Sequence, residues 1–281
     1  MVPPHVRVMQ GPDLPFAVDL TATEGWGYTE EDFLRLQALE PEGCLVLEHD
    51  GRPLGIATVT TYGVVAWIGA VIVRPTWRGK GAGRMLLEGA HAFCARRGVR
   101  SARLNAYLHI VPFYEKLGYR GGTENGRFTA TGLHGFSGGR ASPPEDLAAI
   151  IAFDARAFGA SRERLLRRLE REPGGFLLAV DRGGHVLGYA AGTVADGHCE
   201  IGPMVVARGE PVAAQALLEE ALGQAGVRTA ALTVPVENRE AVDAVRSLGF
   251  GEGFHTLRMT RGDAVADDLA AVWALGGLEK G

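Results

Sequence analysis

The chain carries one pattern of strands twice, and this internal repeat restricts its fold more than any other feature of the sequence. The matching segments are 43–57 with 175–190, 68–73 with 201–206, and 117–119 with 248–250. Gly55 aligns with Gly188 at an offset of 133 (188 − 55), whereas the last pair has an offset of 131 (248 − 117). The second copy has therefore lost two residues between these points. Self-similarity at a fixed period indicates two copies of one structural unit.

Hydrophobic periodicity predicts the same order of elements in each copy: two helices, a meander of three strands, a helix, a strand, a helix and a closing pair of strands. In the first copy we expect helices at 14–23, 30–39, 82–97 and 111–117, strands at 44–49, 54–60, 65–73 and 102–107, and closing strands at Tyr119 and Phe128. A strand, a helix and a second strand in succession require a right-handed parallel crossover, so the sheet is expected to be mixed.

The length of 281 residues exceeds that of a usual single domain. Residues 134–145 are rich in Gly, Ser and Pro, which is typical of a linker. We therefore predict one domain at 1–133 and a second at 146–281.

The first copy contains a glycine-rich turn, residues 78–84, which follows an apolar strand and opens a helix. Its three glycines have no Cβ, so the backbone can present a row of N–H groups to an anion, and the helix dipole adds to the attraction. A P-loop is excluded because no Ser or Thr follows Lys80. A dinucleotide fold is disfavoured because the glycines are one residue too close together and strand 101–107 carries no acid.

The pattern Val-x-Pro-x-x-Arg-Gly-x-Gly-x-Gly, from Val73 to Gly83, resembles the acyl-CoA-binding motif of the GNAT acetyltransferases. The segments 25–33 and 112–119 are similar to those that flank the sheet in this family, and 146–281 resembles the degenerate GNAT-like domain of a bacterial tandem group. The resemblance implies an α/β (α+β) architecture, the tandem acyl-CoA N-acyltransferase fold, with a mixed central sheet flanked by helices in each half.

The resemblance also implies that acetyl-CoA is the co-substrate, that no metal takes part, and that an amine attacks the thioester directly. The residues expected to bind the pyrophosphate are Arg78, Gly79, Lys80, Gly81, Ala82, Gly83 and Arg84. The backbone of Val71, Ile72 and Val73 is expected to pair with pantetheine and polarise the thioester carbonyl, although these residues also suit a buried strand. Tyr114 falls at the position of the family's general acid; core packing is the alternative role for its ring.

The sequence does not single out one residue as the acceptor of the amine proton. Trp67 stands where several relatives carry a glutamate, so no acid of this strand can take the proton directly. The remaining candidates are an ordered water or one of Glu24, Glu30 and Glu31. His109 can relay a proton at neutral pH, or it is a helix cap or a surface residue.

The loop 24–32 is expected to shape the acceptor pocket. Trp26 and Tyr28 offer aromatic faces and Glu24 offers negative charge, a combination that suits a cationic amine. Alternatively, Thr29 and Asp32 cap a helix and the aromatic side chains belong to the core.

The second copy lacks the features expected of an acyl-CoA site. Gly209 is the only glycine of segment 204–215, Glu210 places negative charge where phosphates would lie, and Val245 replaces the tyrosine. We therefore predict that this copy is catalytically silent. Glu200, aligned with Trp67, either lines a cleft or is a solvated strand residue.

Composition restricts the partners. Lys and Arg number 29 against 33 Asp and Glu, a net charge of −4, so no excess of cations is present to neutralise a nucleic acid. The three cysteines, Cys44, Cys94 and Cys199, show no metal-ligand spacing and indicate reduced thiols, and neither a signal sequence nor a membrane-spanning run is present. We therefore expect a cytoplasmic N-acetyltransferase for a small-molecule or protein amine, as a monomer or homodimer, with no nucleic acid and no membrane partner. A non-catalytic module that senses acyl-CoA is the alternative.

Overall fold

The computed structural model describes residues 3–136 and 141–281, so residues 137–140 of the predicted linker lie outside the described residues. The strands are β1 His5–Val8, β2 Cys44–His49, β3 Arg52–Tyr62, β4 Val65–Val73, β5 Ser101–Tyr107, β6 Arg120–Thr131, β7 Gly175–Arg182, β8 His185–Ala195, β9 His198–Val206, β10 Thr229–Pro235, β11 Gly251–Gly262 and β12 Val272–Ala274. The α-helices are α1 Leu14–Ala22, α2 Glu30–Leu39, α3 Ala82–Arg96, α4 Val111–Glu115, α5 Leu147–Phe158, α6 Glu163–Arg171, α7 Pro211–Leu222 and α8 Arg239–Ser247.

The order of elements predicted for the first half is confirmed apart from its two ends. The short strand β1, which is too brief to show periodicity, was not expected. The closing pair of strands expected at Tyr119 and Phe128 is wrong, because one strand, β6, runs through this region. β6 pairs with β10 from Asn125 to Thr131, and its pairing with β11 continues past a bulge at Gly122 and Thr123 to Gly121 and Arg120, so the strand runs through without a turn.

The two halves form a single mixed sheet with the strand order β1-β2-β3-β4-β5-β11-β6-β10-β9-β8-β7. Most neighbours are antiparallel, and β4 with β5 and β9 with β10 are parallel. The expected mixed sheet flanked by helices is therefore confirmed. In the first half, α1 and α2 pack on one face of the sheet and α3 packs on the other.

The halves exchange their closing strands. β6 of the first half pairs with β10 of the second, from Thr131 opposite Thr229 to Asn125 opposite Pro235. Conversely, β11 of the second half pairs with β5 of the first, and β6 and β11 also pair with each other. Each half thus completes the sheet of the other, an arrangement that the sequence did not predict.

A shared apolar core also joins the halves. The rings of Tyr62 and Trp67, from the first half, lie 5.2 and 6.0 Å from the ring of Phe158 on α5. Leu166 and Tyr189 of the second half are fully buried in the same cluster. Burial of this surface and the continuous sheet together hold the two halves in one relative position.

Candidate functional site

The sheet opens between β4 and β5, a gap that we call the first split. These strands are paired only from Val65 opposite Ser101 to Trp67 opposite Arg103. Beyond that point they separate, and residues 71–73 lie in the part of β4 that borders the gap. The sequence therefore placed its pantetheine-binding candidates at the edge of a real opening in the sheet.

A bulge in β4 shapes this edge. Ile72 pairs with Ile56 and Gly69 pairs with Thr58, so Ala70 and Val71 together oppose a single residue of β3. Ala70 has a φ of 46°, which few non-glycine residues adopt. A bulge takes backbone groups out of the ladder and kinks the strand. The edge of β4 that borders the first split can therefore offer N–H and C=O groups to an extended ligand.

The glycine turn lies at one end of the first split. Gly79 and Gly81 have φ values of 73° and 86°, and no described atom lies within 4 Å of the position that a Cβ would occupy on either. Gly81 is the N-cap of α3, and no side chain in the described part of the chain caps this helix. The first N–H groups of a helix have no intrahelical partner, so they remain available for an anion. This geometry fits the pyrophosphate of an acyl-CoA.

The cations of the glycine turn are placed differently from one another. Arg78 donates through Nε to the carbonyl of Val73 at 3.1 Å and pairs with Glu24. Lys80 lies 5.7 Å from the ring of Trp77. The remaining cation, Arg84, pairs along α3 with Glu88 at 2.8 Å. The backbone N–H groups of the glycine turn are therefore the preformed part of the candidate phosphate site. Arg78 connects this turn to the loop 24–32.

Tyr114 lies on α4, beside the turn. Packing of the two helices brings it there, because Gly83 of α3 faces Phe113, whose ring would lie 3.3 Å from an added Cβ. Tyr114 is 8 % exposed and packs against Tyr119 at a centroid distance of 5.8 Å. Burial raises the pKa of Tyr114, so its phenol stays protonated at neutral pH and can act as an acid.

A cavity of about 630 Å³ lies between the two halves, and we call it the shared cavity. Glu24, Trp26 and Tyr28 of the first half line it, as the sequence predicted for the acceptor pocket, together with Gly69 and Ala70 of β4. The second half contributes residues of α6, β8, β9 and β11, and the segment 276–280. The sequence indicated this second wall only through Glu200, for which lining a cleft was one of the two roles considered.

The other residues proposed for the acceptor side lie elsewhere. His109 is exposed on the surface, stacked on Tyr107 at 6.0 Å, and among the described residues it is not part of the cavity lining. Glu30 and Glu31 are exposed on α2. Of the three acids considered as proton acceptors, only Glu24 lines the cavity, and it is paired with Arg78.

Aromatic side chains from both halves follow one another along the cavity wall. Trp26 lies 6.3 Å from Tyr28 and 6.4 Å from Tyr107, and Tyr107 lies 5.3 Å from Phe254 of β11. Trp26 and Tyr28 also pack against the core of the first half. The capping box of Thr29 with Asp32 is present as well, so both interpretations of this loop hold at once.

An ion pair crosses the boundary between the halves inside the cavity. Arg127 of β6 donates two hydrogen bonds to Glu200 of β9, at 2.5 and 2.6 Å. Burial acts to raise the pKa of Glu200, but its hydrogen bonds with Arg127 and His198 lower that pKa overall. Glu200 therefore lines a cleft, one of the two roles considered for it. Strand exchange brings Arg127 there, and no local sequence signal marks it.

The segment 276–281, which we call the closing segment, lies against β4 and β5. The carbonyl of Leu278 accepts hydrogen bonds from Trp67 Nε1 and Asn105 Nδ2, both at 3.0 Å. The carbonyl of Lys280 accepts from the Tyr62 hydroxyl at 2.9 Å. Trp67, which stands where relatives carry an acid, thus anchors a distant part of the chain.

The equivalent gap of the second half lies between β9 and β10, and we call it the second split. β12 fills it, with Val272 opposite Val205 and Ala274 opposite Met204 on β9. The N–H of Leu275 then donates to Thr233 on β10 at 2.9 Å, so the chain bridges both strands. A Cβ on Gly202 would overlap the carbonyl of Leu275. The second split is therefore occupied by the protein itself.

Two further features bear on function. No helix formed by residues 3–136 or 141–281 is both long and apolar enough to cross a bilayer. The same residues contain no group of His, Cys, Asp or Glu side chains that could hold a metal ion. Burial raises the pKa of each cysteine thiol, at positions 44, 94 and 199, to about 12, so these thiols are unreactive at neutral pH.

Comparison with known proteins gives the same assignment for both halves. Residues 15–119 match the model of the acetyltransferase (GNAT) family, and residues 150–274 match a model described as an acetyltransferase (GNAT) domain. Holothin acyltransferase of Pseudoalteromonas sp. (strain SANK 73390) is 24% identical over 265 residues, which cover 92% of this chain and 88% of that protein.

Two solved structures share the fold over nearly the whole chain. A proposed acetyltransferase from Pyrococcus horikoshii superimposes with a TM-score of 0.82 at 21% identity, covering 100% of this chain and 97% of the other. A tandem GNAT protein from the clavulanic acid biosynthesis pathway gives a TM-score of 0.66 at 15% identity, with coverage of 94% and 100%. The chain therefore belongs to the GNAT acetyltransferase family and carries two GNAT domains in tandem.

Proposed function

We propose that the protein is an acetyl-CoA-dependent N-acetyltransferase that acts on a primary amine, and that only its first half catalyses the reaction. One observation carries this proposal: the first split ends at a turn whose glycines and helix terminus are free to hold phosphates, whereas β12 fills the second split. Two similar units of one chain thus differ at the feature that acyl-CoA binding requires.

The residues of the first half can be assigned to the steps of direct transfer. The N–H groups at the start of α3 hold the pyrophosphate, and the backbone of 71–73 aligns pantetheine so that the thioester lies near the bulge at Ala70. An amine in the shared cavity attacks the carbonyl carbon, and the bond between carbon and sulfur breaks. Tyr114 donates its phenolic proton to the sulfur, which leaves as the thiol, while the nitrogen loses a proton to an acceptor in the cavity.

The second half has a structural role in this proposal. It supplies β11 to the sheet of the first half and one wall of the shared cavity. The holothin acyltransferase relative supports acyl transfer by a chain with this overall organisation. Because that name does not specify an acetyl group, the donor is best compared across acyl-CoAs of increasing length.

Thiol release from acetyl-CoA, measured across a panel of primary amines, tests the proposal. The three cysteines of the protein are buried, so a thiol reagent reports CoA with little background. We expect release that depends on the amine, together with one mole of acetyl-CoA bound per mole of chain by calorimetry. Binding without release for every amine would favour the acyl-CoA-sensing alternative. Two moles bound would contradict a single site.

A further inference from the structure

Five acidic side chains line the shared cavity: Glu24, Asp32, Glu172, Glu200 and Glu279. Four of them have arginine partners: Glu24 pairs with Arg78, Glu200 with Arg127 at 2.5 Å, Glu172 with Arg168 at 3.1 Å, and Asp32 with Arg35 at 3.3 Å. Asp32 holds the capping box of α2. Among the five, Glu279 belongs to the closing segment, and its Cα and Cβ lie directly against Gly69 of β4, the strand that borders the first split.

The absence of a side chain at Gly69 explains why Glu279 lies there. A Cβ on Gly69 would overlap the Cα and Cβ of Glu279, so any other residue at this position would displace the closing segment. Gly69 is next to Ala70, where the bulge begins, and follows Trp67 by two residues on the same face of β4. The closing segment thus sets the Cα and Cβ of Glu279 against the face of β4 that carries Trp67 and no acid, and Glu279 lines the shared cavity.

The backbone of the closing segment is anchored independently of the Glu279 carboxylate. Besides the bonds to Leu278 and Lys280, the carbonyl of Gly281 accepts from Arg162 at 2.5 Å. Arg162 is 2 % exposed and is itself paired with the buried Asp154 at 2.6 Å. The position of Glu279 is therefore set by the fold, and the side chain is 12 % exposed.

We propose that Glu279 accepts the proton from the acceptor amine, an inference that rests on the proposed function of the first half. As the nitrogen lone pair forms the bond to the carbonyl carbon, the nitrogen becomes cationic and loses one proton to the Glu279 carboxylate. The bond to sulfur breaks, and sulfur takes the proton of Tyr114. The proton on Glu279 then returns to the Tyr114 phenolate through solvent, so that amine and thioester become amide and thiol with no other reactant.

The surroundings of Glu279 also indicate the kind of amine. Lys280 pairs with Glu279; burial acts to lower the pKa of Lys280, but Glu279 and Glu200 raise it overall, so Lys280 stays cationic. The positive charge of Lys280 beside the Glu279 carboxylate disfavours a second cation there. The acceptor amine therefore binds in its neutral, nucleophilic form. Phe254, an apolar side chain of the cavity lining, is 43% exposed, and it suits a primary amine with an apolar or aromatic body.

The test compares Glu279→Gln and Glu279→Asp with wild type, using acetyl-CoA and phenethylamine among the amine panel. Gln keeps the size of the side chain and the backbone anchors of the closing segment. We expect kcat to fall about 100-fold in Glu279→Gln, with the KM for acetyl-CoA within twofold, and partial recovery in Glu279→Asp. The acidic limb of the pH profile of kcat is expected to disappear in Glu279→Gln. Glu170→Gln, on the exposed face of α6, is the matched control and should behave as wild type.

The outcomes separate the two proposals. If wild type releases thiol and Glu279→Gln does so within threefold of the same rate, the role of Glu279 is overturned while the proposed function stands. A loss of rate with an unchanged pH profile would also overturn it, because it would show a structural effect. If wild type releases no thiol with any amine, both proposals fail. Preference for amines of opposite character, such as polyamines over phenethylamine, would contradict the inferred substrate class.

Discussion

The two splits of the sheet have the same strand arrangement, but the first is open and the second is filled by the protein's own chain. In both, a pair of parallel strands separates after three paired residues, and the first strand of the pair, β4 or β9, carries a bulge. In the first half a glycine turn with an uncapped helix terminus lies at the end of the gap. In the second half the chain threads β12 through the gap and buries Trp273, which is 4 % exposed.

The comparison teaches that a split in the sheet leaves backbone groups that either the protein itself or a ligand has to pair. A split sheet exposes unpaired backbone groups, which are costly when they are buried without partners. In the second half β12 and Leu275 supply those partners from the protein itself. In the first half the same groups remain available, which is what binding of an extended ligand requires.

The largest expected effect comes from separating the halves. A chain that ends at Leu133 loses β11, so β5 and β6 each lose a neighbouring strand and Trp67 loses its partner Leu278. We expect this chain to be insoluble or unfolded, as judged by size-exclusion chromatography and circular dichroism. A soluble, fully active fragment would show instead that the domain boundary predicted at 133 marks an independent folding unit.

Removing the acid of the first half should lower the rate by roughly 100- to 10,000-fold, since that is the usual contribution of a general acid. The substitution is Tyr114→Phe, and the aligned residue of the second half is Val245. Steady-state thiol release gives the rate, and calorimetry should show acetyl-CoA binding within threefold of wild type. Tyr119→Phe is the matched control, because Tyr119 packs beside Tyr114 and its hydroxyl bonds to His91 at 2.8 Å. An unchanged rate in Tyr114→Phe would assign the acid elsewhere.

Weakening the packing of β12 tests whether the second split is a latent site. Trp273→Ala should lower the free energy of unfolding by about 3–5 kcal/mol, the usual cost of deleting a buried tryptophan. Urea denaturation measures this change. Acetyl-CoA should still bind at one mole per chain, because the turn before α7 carries Glu210 and a single glycine. A second mole bound by the variant would show that β12 alone distinguishes the two halves.

Making the first turn resemble the second should weaken acetyl-CoA binding by about 10- to 100-fold. At the offset of 131, Gly81 corresponds to Val212, so Gly81→Val introduces the residue of the other half at a φ of 86°. Isothermal titration calorimetry gives the affinity. Gly209→Val places the same side chain at a φ of 78° in the second turn and is the control for backbone strain alone. Equal affinity for acetyl-CoA in wild type, Gly81→Val and Gly209→Val would show that the first turn is not part of the binding site.

The smallest expected effect is on the pH dependence of the free energy of unfolding, to which α3 contributes through His91 and α7 does not through the aligned residue. Burial and Arg261 lower the pKa of His91 on α3 to about 4, although Glu88 opposes this; in α7 the aligned residue is Leu222. Between pH 6.5 and 4 the unfolded chain binds a proton that folded His91 does not, so the free energy of unfolding falls as the pH drops. We expect roughly 1–2 kcal/mol, fully regained above pH 6.5. Urea titrations of His91→Leu should lack this part of the pH dependence; an unchanged slope would assign it to other groups.

The sequence was a good guide wherever the signal was local. The glycine turn, the capping box at Thr29 and the helix that carries Tyr114 each depend on residues within a few positions of one another, and the structure contains all three. The meander of strands was predictable for the same reason. The strand end 71–73 and the turn 78–84, the candidate binding residues, follow the same local patterns because they lie on consecutive elements.

The partners in the shared cavity were not predictable in this way. Arg127 reaches Glu200 only because β6 crosses into the sheet of the second half, and their separation along the chain is 73 residues. Glu279 reaches Gly69 from a segment with no periodicity. Such contacts depend on long-range pairing, for which alternation and turn residues carry no information.

What the sequence determined by itself was therefore the repeat, the type of each element and the difference in chemistry between the two turns. Only the tertiary structure decided which sheet each closing strand joins, because β6 and β11 follow the same pattern and either satisfies the hydrogen bonds of a neighbouring strand. The exchange of these strands between the halves also brings Arg127 and Phe254 to one cavity. Periodicity fixes which face of a strand is apolar, but the identity of its partner is decided by the packing of the whole sheet.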